Sequence, residues 1–227
     1  MPVDPNAAIE ISAFNWVPDF AKGVVRDLRV RWALEEIGLP YRVRLLSPMG
    51  DKPQDYLLEQ PFGQVPVFVE GALHLFESGA ILLHLGERSE ALLPRDSAGK
   101  ARATCWLIAA LNSIEPMMFE LVNIDVFNAG AAWANERRPE AERTVRTRLQ
   151  RLSDWLGDHE HLEGRFTVAD LMMTTVLRNL RHTSIIADYP NLAAYQARCE
   201  ARPAFGRALA AQLADFQDKP DAPRAAA

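Results

Sequence analysis

Up to about residue 90 the chain alternates between two hydrophobic rhythms, one of period 2 and one of period 3.6; beyond it only the second persists. "AIEISAF", residues 7 to 13, reads as a short strand. In "VRDLRVRWALEEIG", Val30, Ala33, Leu34 and Ile37 fall on one helix face, and Gly38 stands where a C-cap needs a left-handed backbone. "YRVRLL" sets Tyr41, Val43 and Leu45 against Arg42 and Arg44, the alternation of a half-buried strand. The run Val65 to Val69 and "LHLF" predict two further strands joined through a Glu70–Gly71 hairpin turn, and "SGAILLHLGER" closes the unit as a helix. The predicted order is βαβ, then ββα.

After the linker "LLPRDSAG" the pattern is helical. "KARATCWLIAALNSIEPMMFELV" reads as one long helix with a bend expected at Pro116, and "PEAERTVRTRLQRLSDWLGDH" as a second with charges crowding one side. Thr167 followed three residues later by Asp170 is a reciprocal N-terminal box ahead of "LMMTTVL". Two more helices, 190 to 201 and 203 to 214, complete the unit, and "DKPDAPRAAA" has nothing to bury. The domains expected are residues 1–90, α/β; 98–217, all helical; and a flexible tail, 218–227.

Pro66 breaks the pattern of its strand, because a proline has no N–H for the ladder and belongs at an edge, a strand start or a bend. A cis Val65–Pro66 bond would turn the Val65 main chain outward, free to pair with a ligand.

Composition narrows the partners. The chain has 227 residues, 48% of them hydrophobic, enough for one large core or two smaller ones. A net charge of -5 and a pI near 5.6 give no electrostatic reason to expect nucleic acid or an anionic membrane as partner. No apolar run approaches the roughly 20 residues of a membrane span, and "MPVDPNAAIEI" lacks the basic-then-apolar order of a secretory signal, so a cytoplasmic protein is expected. Cys105 and Cys199, far apart in sequence, read as reduced, buried small hydrophobes rather than a disulfide. His159, His161 and His182 have no metal-ligand spacing, and no metal is expected.

Several motifs together carry a family resemblance: the βαβ–ββα order, "FGQVPVF" ahead of the third strand, "LFESGAILLHL" after the fourth, an all-helical second half, "TVAD", and "YPNLAAYQARCEARPAF" near the end. Over nearly its whole length the chain resembles the cytosolic glutathione S-transferases. The resemblance implies a thioredoxin-like N-terminal domain that binds glutathione and a helical C-terminal domain that supplies a pocket for a hydrophobic second substrate. It implies that Val65, followed by a cis Pro66, pairs its main chain with the cysteinyl unit of glutathione. Glu77 and Ser78 would hold the γ-glutamyl end, and Gln64 and Lys52, in "DKPQDYLLEQPFGQVP", the glycyl end, as in plant phi-type members. The physics of Glu77–Ser78 agrees, since a hydroxyl and free N–H groups at a helix start suit a carboxylate and the adjacent glutamate suits an ammonium. Ser78 also reads as a plain helix cap, and Lys52 as a solvated surface charge.

The catalytic group departs from the family pattern. Members usually place a tyrosine, serine or cysteine in or just after the first strand to favour the glutathione thiolate. From Ala13 to Leu46 this chain has no serine, threonine or cysteine, and Tyr41 falls in the second strand. Val24 lies near the usual serine position. Asn15, Trp16, Lys22 or Arg26 could each approach the sulfur, set against readings as turn former, core lid, solvent-facing lysine and an Arg26–Asp27 surface cluster. Asn15 is preferred, because some bacterial members resembling this chain use an asparagine in that loop. With no cysteine in the N-terminal half, a mixed disulfide with a protein thiol there is not expected.

Three functions follow from the resemblance: transfer of glutathione to an electrophile, glutathione-dependent reduction of a disulfide or peroxide, and non-catalytic binding. Trp106, Met117, Met118 and Phe119 are candidates either for the acceptor wall or for core packing. Phe62, in a proline-flanked loop, matches the aromatic residue that anchors many transferase homodimers; the alternative is that it folds under its own loop.

Overall fold

The computed structural model describes residues 2–219, so the expected tail falls mostly outside the described residues. In the first unit β1 (Ile9–Phe14), α1 (Asp27–Ile37), β2 (Tyr41–Leu46), α2 (Gln54–Glu59), β3 (Phe68–Glu70), β4 (Leu73–Leu75) and α3 (Ser78–Glu87) follow in order. The sheet order is β2-β1-β3-β4, with β1 and β2 parallel and β3 antiparallel to both β1 and β4. β1 is central and buries Ile9, Ile11, Ser12 and Ala13 on both faces, as a strand covered on two sides must. Edge strand β2 buries Tyr41, whereas Leu45, expected inside, is exposed. Gly38 ends α1 at φ 70°, as its C-cap role requires.

Two expectations need correction in this unit. Strand pairing begins at Phe68, so Pro66 precedes β3 instead of occupying its second position. Residues 54–59, to which the sequence reading assigned no element, form α2 between Pro53 and Pro61, and its Tyr56 is buried.

The second unit, Leu93–Arg202, is helical: α4 (Ser97–Ala109), α5 (Glu115–Val122), α6 (Ala132–Leu156), α7 (Val168–Leu177) and α8 (Pro190–Glu200). Asp96 caps α4 by accepting from the Gly99 N–H at 2.7 Å. Residues 110–114 and 123–127 are π-helical, and Pro116 sits in the first turn of α5, where its missing N–H costs least. Helical backbone therefore runs from Ser97 to Phe127, long and apolar enough by length and composition to cross a membrane, contrary to the sequence reading. Core helices of soluble proteins pass the same test, and here the run packs against α6 and α7. α6 begins before Pro139 and keeps that proline inside, its first turns held by Arg137–Glu120 (2.8 Å) and Arg138–Asp125 (2.7 Å) ion pairs. The Thr167–Asp170 box caps α7, which is buried along its whole length. The Asp170 carboxylate also accepts from the Leu162 N–H at 2.9 Å and the Tyr195 hydroxyl at 3.0 Å.

The last helix, α9 (Pro203–Ala214), belongs to the first unit, which comprises residues 1–92 and the chain from Pro203 onward. It packs along α1, with Trp32 edge-on to Phe205 at 4.8 Å and Arg207 paired to Glu35 at 2.7 Å.

Candidate functional site

Strand register brings the candidate residues to one end of the sheet. Phe14 lies opposite Leu46 on parallel β2, while β3 enters antiparallel at Phe68 and β4 leaves it at Leu75. The loops after β1 and β2, the approach to β3 and the exit from β4 therefore share that end, together with the start of α1. Asn15, Lys52, Gln64, Val65, Pro66, Glu77 and Ser78 all lie on those segments.

The approach to β3 is built from inside. The Val65–Pro66 bond is cis, and the Val65 side chain is buried with Tyr56 and Val67. The Tyr56 hydroxyl donates to the Gln64 carbonyl at 2.5 Å and lies 2.8 Å from Ser12 Oγ. Ser12 Oγ accepts from the Val67 N–H at 2.7 Å, so its own hydrogen goes to Tyr56. Burial raises the Tyr56 pKa, which keeps that phenol a donor. This relay fixes the main chain of Gln64 and Val67 on either side of Val65. The Val65 N–H and C=O have no hydrogen-bond partner among the described residues, which leaves a short stretch of main chain able to pair with a peptide-like ligand.

Where β4 gives way to α3, Glu77 is exposed and holds φ 67°, the one positive φ among the described non-glycine residues. Ser78 is the first residue of α3, not its cap, and the reading of Ser78 as a cap falls away: Glu77 takes that position with no side-chain cap bond. Its buried Oγ accepts from Arg29 Nη1 at 3.1 Å, leaving the hydroxyl hydrogen to donate elsewhere. A guanidinium behind the hydroxyl and the free first-turn N–H groups of α3 make this corner electropositive.

Lys52 is half-buried; its Nζ donates to the Ser47 carbonyl at 2.9 Å and lies 5.4 Å from the Phe14 ring centroid. Burial lowers its pKa, against the opposing pull of Asp51. Gly63 has φ 64°, and a Cβ there would stand 3.3 Å from Lys52 Cγ, so glycine lets the lysine stem lie against the turn. Gln64 is exposed beside it.

Asn15 directly follows β1 and is 6% exposed; its N–H donates to the Leu46 carbonyl at 3.0 Å and its C=O accepts from the Gln217 N–H at 2.7 Å. Lys22 pairs with exposed Asp19 at 2.7 Å on the surface, and Trp16 is half-buried. The Arg26–Asp27 surface cluster does not exist as expected, because Asp27 is buried and bonded to Arg31 Nε at 2.7 Å. Desolvation raises the Asp27 pKa, with Arg31 opposing it.

Phe62 is 69% exposed and stands edge-on to Phe76 at 6.2 Å, so it is not folded beneath its own loop. In the second unit Met118 is core, Trp106 lies 5.2 Å from the Trp155 ring, and Phe119, exposed, 6.3 Å from Phe127. Cys199 is buried, its thiol pushed up to about 12 by burial, but Cys105 is exposed and the expectation of two buried thiols fails for it. No group of three or more His, Cys, Asp or Glu able to hold a metal occurs among the described residues.

Ser12, Arg29, Tyr56 and Gln212 were not singled out in the sequence. Ser12 and Arg29 bond Val67 and Ser78 across 55 and 49 residues and Gln212 accepts from the Gly23 N–H across 189, whereas Tyr56 reaches Gln64 across only 8.

Comparison with known proteins agrees with this geometry. The profile of the glutathione S-transferase N-terminal domain matches residues 21–87 and that of the glutathione S-transferase C-terminal domain residues 120–211. The chain is 30% identical to the probable glutathione S-transferase GSTF2 of Oryza sativa subsp. japonica, over 75% of this chain and 84% of that protein. It is also 30% identical to the disulfide-bond oxidoreductase YfcG of Escherichia coli K12, over 80% and 89%. A solved glutathione transferase family member from Pseudomonas fluorescens pf-5, with two glutathione bound, superposes with a TM-score of 0.77 at 27% identity, covering 88% of this chain and 92% of that one. A thioredoxin-like unit, an all-helical unit and these matches together establish that the chain belongs to the glutathione S-transferase family.

Proposed function

We propose that the chain binds glutathione at this end of the sheet and uses its thiolate as the nucleophile toward a hydrophobic electrophile. The observation that carries the reading is the corner at Glu77 and Ser78. A glutamate held at φ 67° costs the fold something like 1–3 kcal/mol, and such residues persist where a ligand needs them. There the Ser78 hydroxyl and the α3 N–H groups take the γ-glutamyl carboxylate, Glu77 accepts from its ammonium, Val65 pairs with the cysteinyl main chain, and Lys52 and Gln64 meet the glycyl carboxylate. A free thiol of pKa near 8.5 is about 3% ionised at pH 7, and lowering it by about 2 units takes about 2.7 kcal/mol of preference for the thiolate. Asn15 is the residue assigned to that task, by amide donation to the sulfur. The protein works as a cytoplasmic homodimer anchored by Phe62, with a detoxifying role.

A second reading, glutathione-dependent disulfide reduction, is favoured by the relative YfcG and by the neighbour that holds two glutathione molecules. In that chemistry the bound thiolate attacks one sulfur of the substrate disulfide and the other leaves as a thiolate that takes up a proton. A second glutathione thiolate then attacks the mixed disulfide, forming glutathione disulfide and releasing the remaining substrate thiol. Steady-state turnover with an aryl halide, a small disulfide and a hydroperoxide tests both. Conjugation of the aryl halide supports the first reading, reduction of the disulfide or peroxide without conjugation the second. Inactivity toward all three alongside measurable glutathione binding would leave a binding protein.

A further inference from the structure

Between Asn15 and Asp27 the chain makes an irregular loop with short-range main-chain hydrogen bonds inside it, Ala21 N–H to Pro18 O, Lys22 N–H to Asp19 O and Val24 N–H to Ala21 O. Such a segment does not fix its own position. Beside the Asn15 N–H bond to the Leu46 carbonyl, a set of outside contacts comes from the other end of the chain. Gln212, on α9 and 1% exposed, is threaded into the loop: its Oε1 accepts from the Gly23 N–H at 3.1 Å, and its Nε2 donates to the Val25 carbonyl at 3.2 Å and to Asp27 Oδ1 at 2.7 Å. Three residues past α9, the Gln217 N–H donates to the Asn15 carbonyl at 2.7 Å. Between these two points Asp215 is clamped by Arg31 Nη2 at 2.5 Å, and Arg31 in turn holds Asp27. Both ends of the loop that bears Asn15 are thus latched by residues 212–217, all within the first unit.

We propose that Gln212 and the main-chain N–H of Gln217 are positioning residues for the loop between β1 and α1, setting where the Asn15 side chain stands and hence how far glutathione ionises. The inference rests on the assignment of Asn15 and of the glutathione site. An amide suits this place because the loop offers one donor and two acceptors, which a glutamine matches without adding charge beside the buried Asp27 carboxylate. A loop set a fraction of an ångström away would still fold, but its donor would miss the sulfur, and geometry of that order separates productive from unproductive sites.

The test compares wild type with Gln217→Pro, which removes that N–H but also fixes φ there, a chain ending at Phe216, which removes the N–H without the proline ring, and Gln212→Leu. Gln217→Ala, which keeps the N–H, is the conservative counterpart. Each is titrated with glutathione by calorimetry, and the ionisation of the bound thiol is followed by thiolate absorbance against pH. The latch predicts that Gln217→Pro and the shortened chain raise the pKa of the bound thiol by half a unit or more. That is a threefold or greater fall in the ratio of thiolate to thiol at a given pH, with glutathione Kd within about threefold of wild type, and Gln217→Ala keeps the wild-type titration. Gln212→Leu moves it in the same direction. Unchanged ionisation in Gln217→Pro and in the shortened chain, with glutathione bound, overturns the latch. A wild-type protein that does not bind glutathione overturns the site assignment itself, and the two failures are told apart by the calorimetry alone.

Discussion

Replacing Ser78 by alanine isolates one hydroxyl at the corner assigned to the γ-glutamyl carboxylate. Its oxygen already accepts from Arg29 Nη1, so what a ligand gains is a single O–H donor, and against a carboxylate such a bond contributes about 1.5–3 kcal/mol. The expected loss is therefore about 10- to 150-fold in Kd for glutathione. Stability should fall without loss of the folded state. Ser78 is the first helical residue and caps nothing, which leaves the buried Arg29–Ser78 bond to lose. With a charged donor that bond contributes about 1.5–3 kcal/mol, and with about 2–4 °C per kcal/mol in a chain of this size the melting temperature should fall by about 3–12 °C. Titration calorimetry with glutathione, paired with a thermal melt of the unliganded protein, reads both quantities. Affinity within twofold of wild type would refute the assignment of Ser78. Equal loss of affinity and of folded protein would refute the separation between them.

Tyr56→Phe, which breaks the Ser12–Tyr56–Gln64 relay, should cost about 1–3 kcal/mol in urea unfolding and weaken glutathione severalfold without abolishing binding. Phe62→Ala should lower dimer affinity by about 2–4 kcal/mol per anchor, read by sedimentation across a dilution series; a wild-type monomer at micromolar concentration rules out the dimer. Turnover should survive replacement of Cys105 and Cys199 together by alanine, since one thiol is buried with its pKa pushed up to about 12 and neither lies in the first unit. Burial lowers the Lys52 pKa, so as pH rises its charge is lost at a lower pH than that of an ordinary lysine. Glutathione affinity should decline on the alkaline side earlier than for an ordinary lysine, and Lys52→Met should remove that limb of the profile.

Local pattern was enough for β1, α1 with its Gly38 cap, β2, the hairpin and the Thr167–Asp170 box, because each of these rests on neighbours within a turn or a strand. It failed for α2, whose six residues between two prolines give too short a period to read, and for α6, where Pro139 looked like a beginning although ion pairs stabilise an earlier start. Val65, Pro66, Glu77 and Ser78, the residues assigned to glutathione, stood out by motif. Their supports did not, since Arg29 and Gln212 bond to partners 49 and up to 189 residues away and no periodicity carries that information, while Tyr56, only 8 residues from Gln64, sits on the short helix that was missed.

The assignment of α9 to the first unit has a temporal side. Leu93–Arg202, 110 residues, separates the two pieces of that unit, and a ribosome adding about 5–20 residues per second needs roughly 5 to 20 s to make them. Throughout that interval the nascent α1 has Trp32 without Phe205, and Arg31 with Asp27 but without Asp215. The apolar face of a newborn α1 is thus a natural client for a chaperone. Synthesis of α9, rather than completion of the first 92 residues, is the step that lets this unit close.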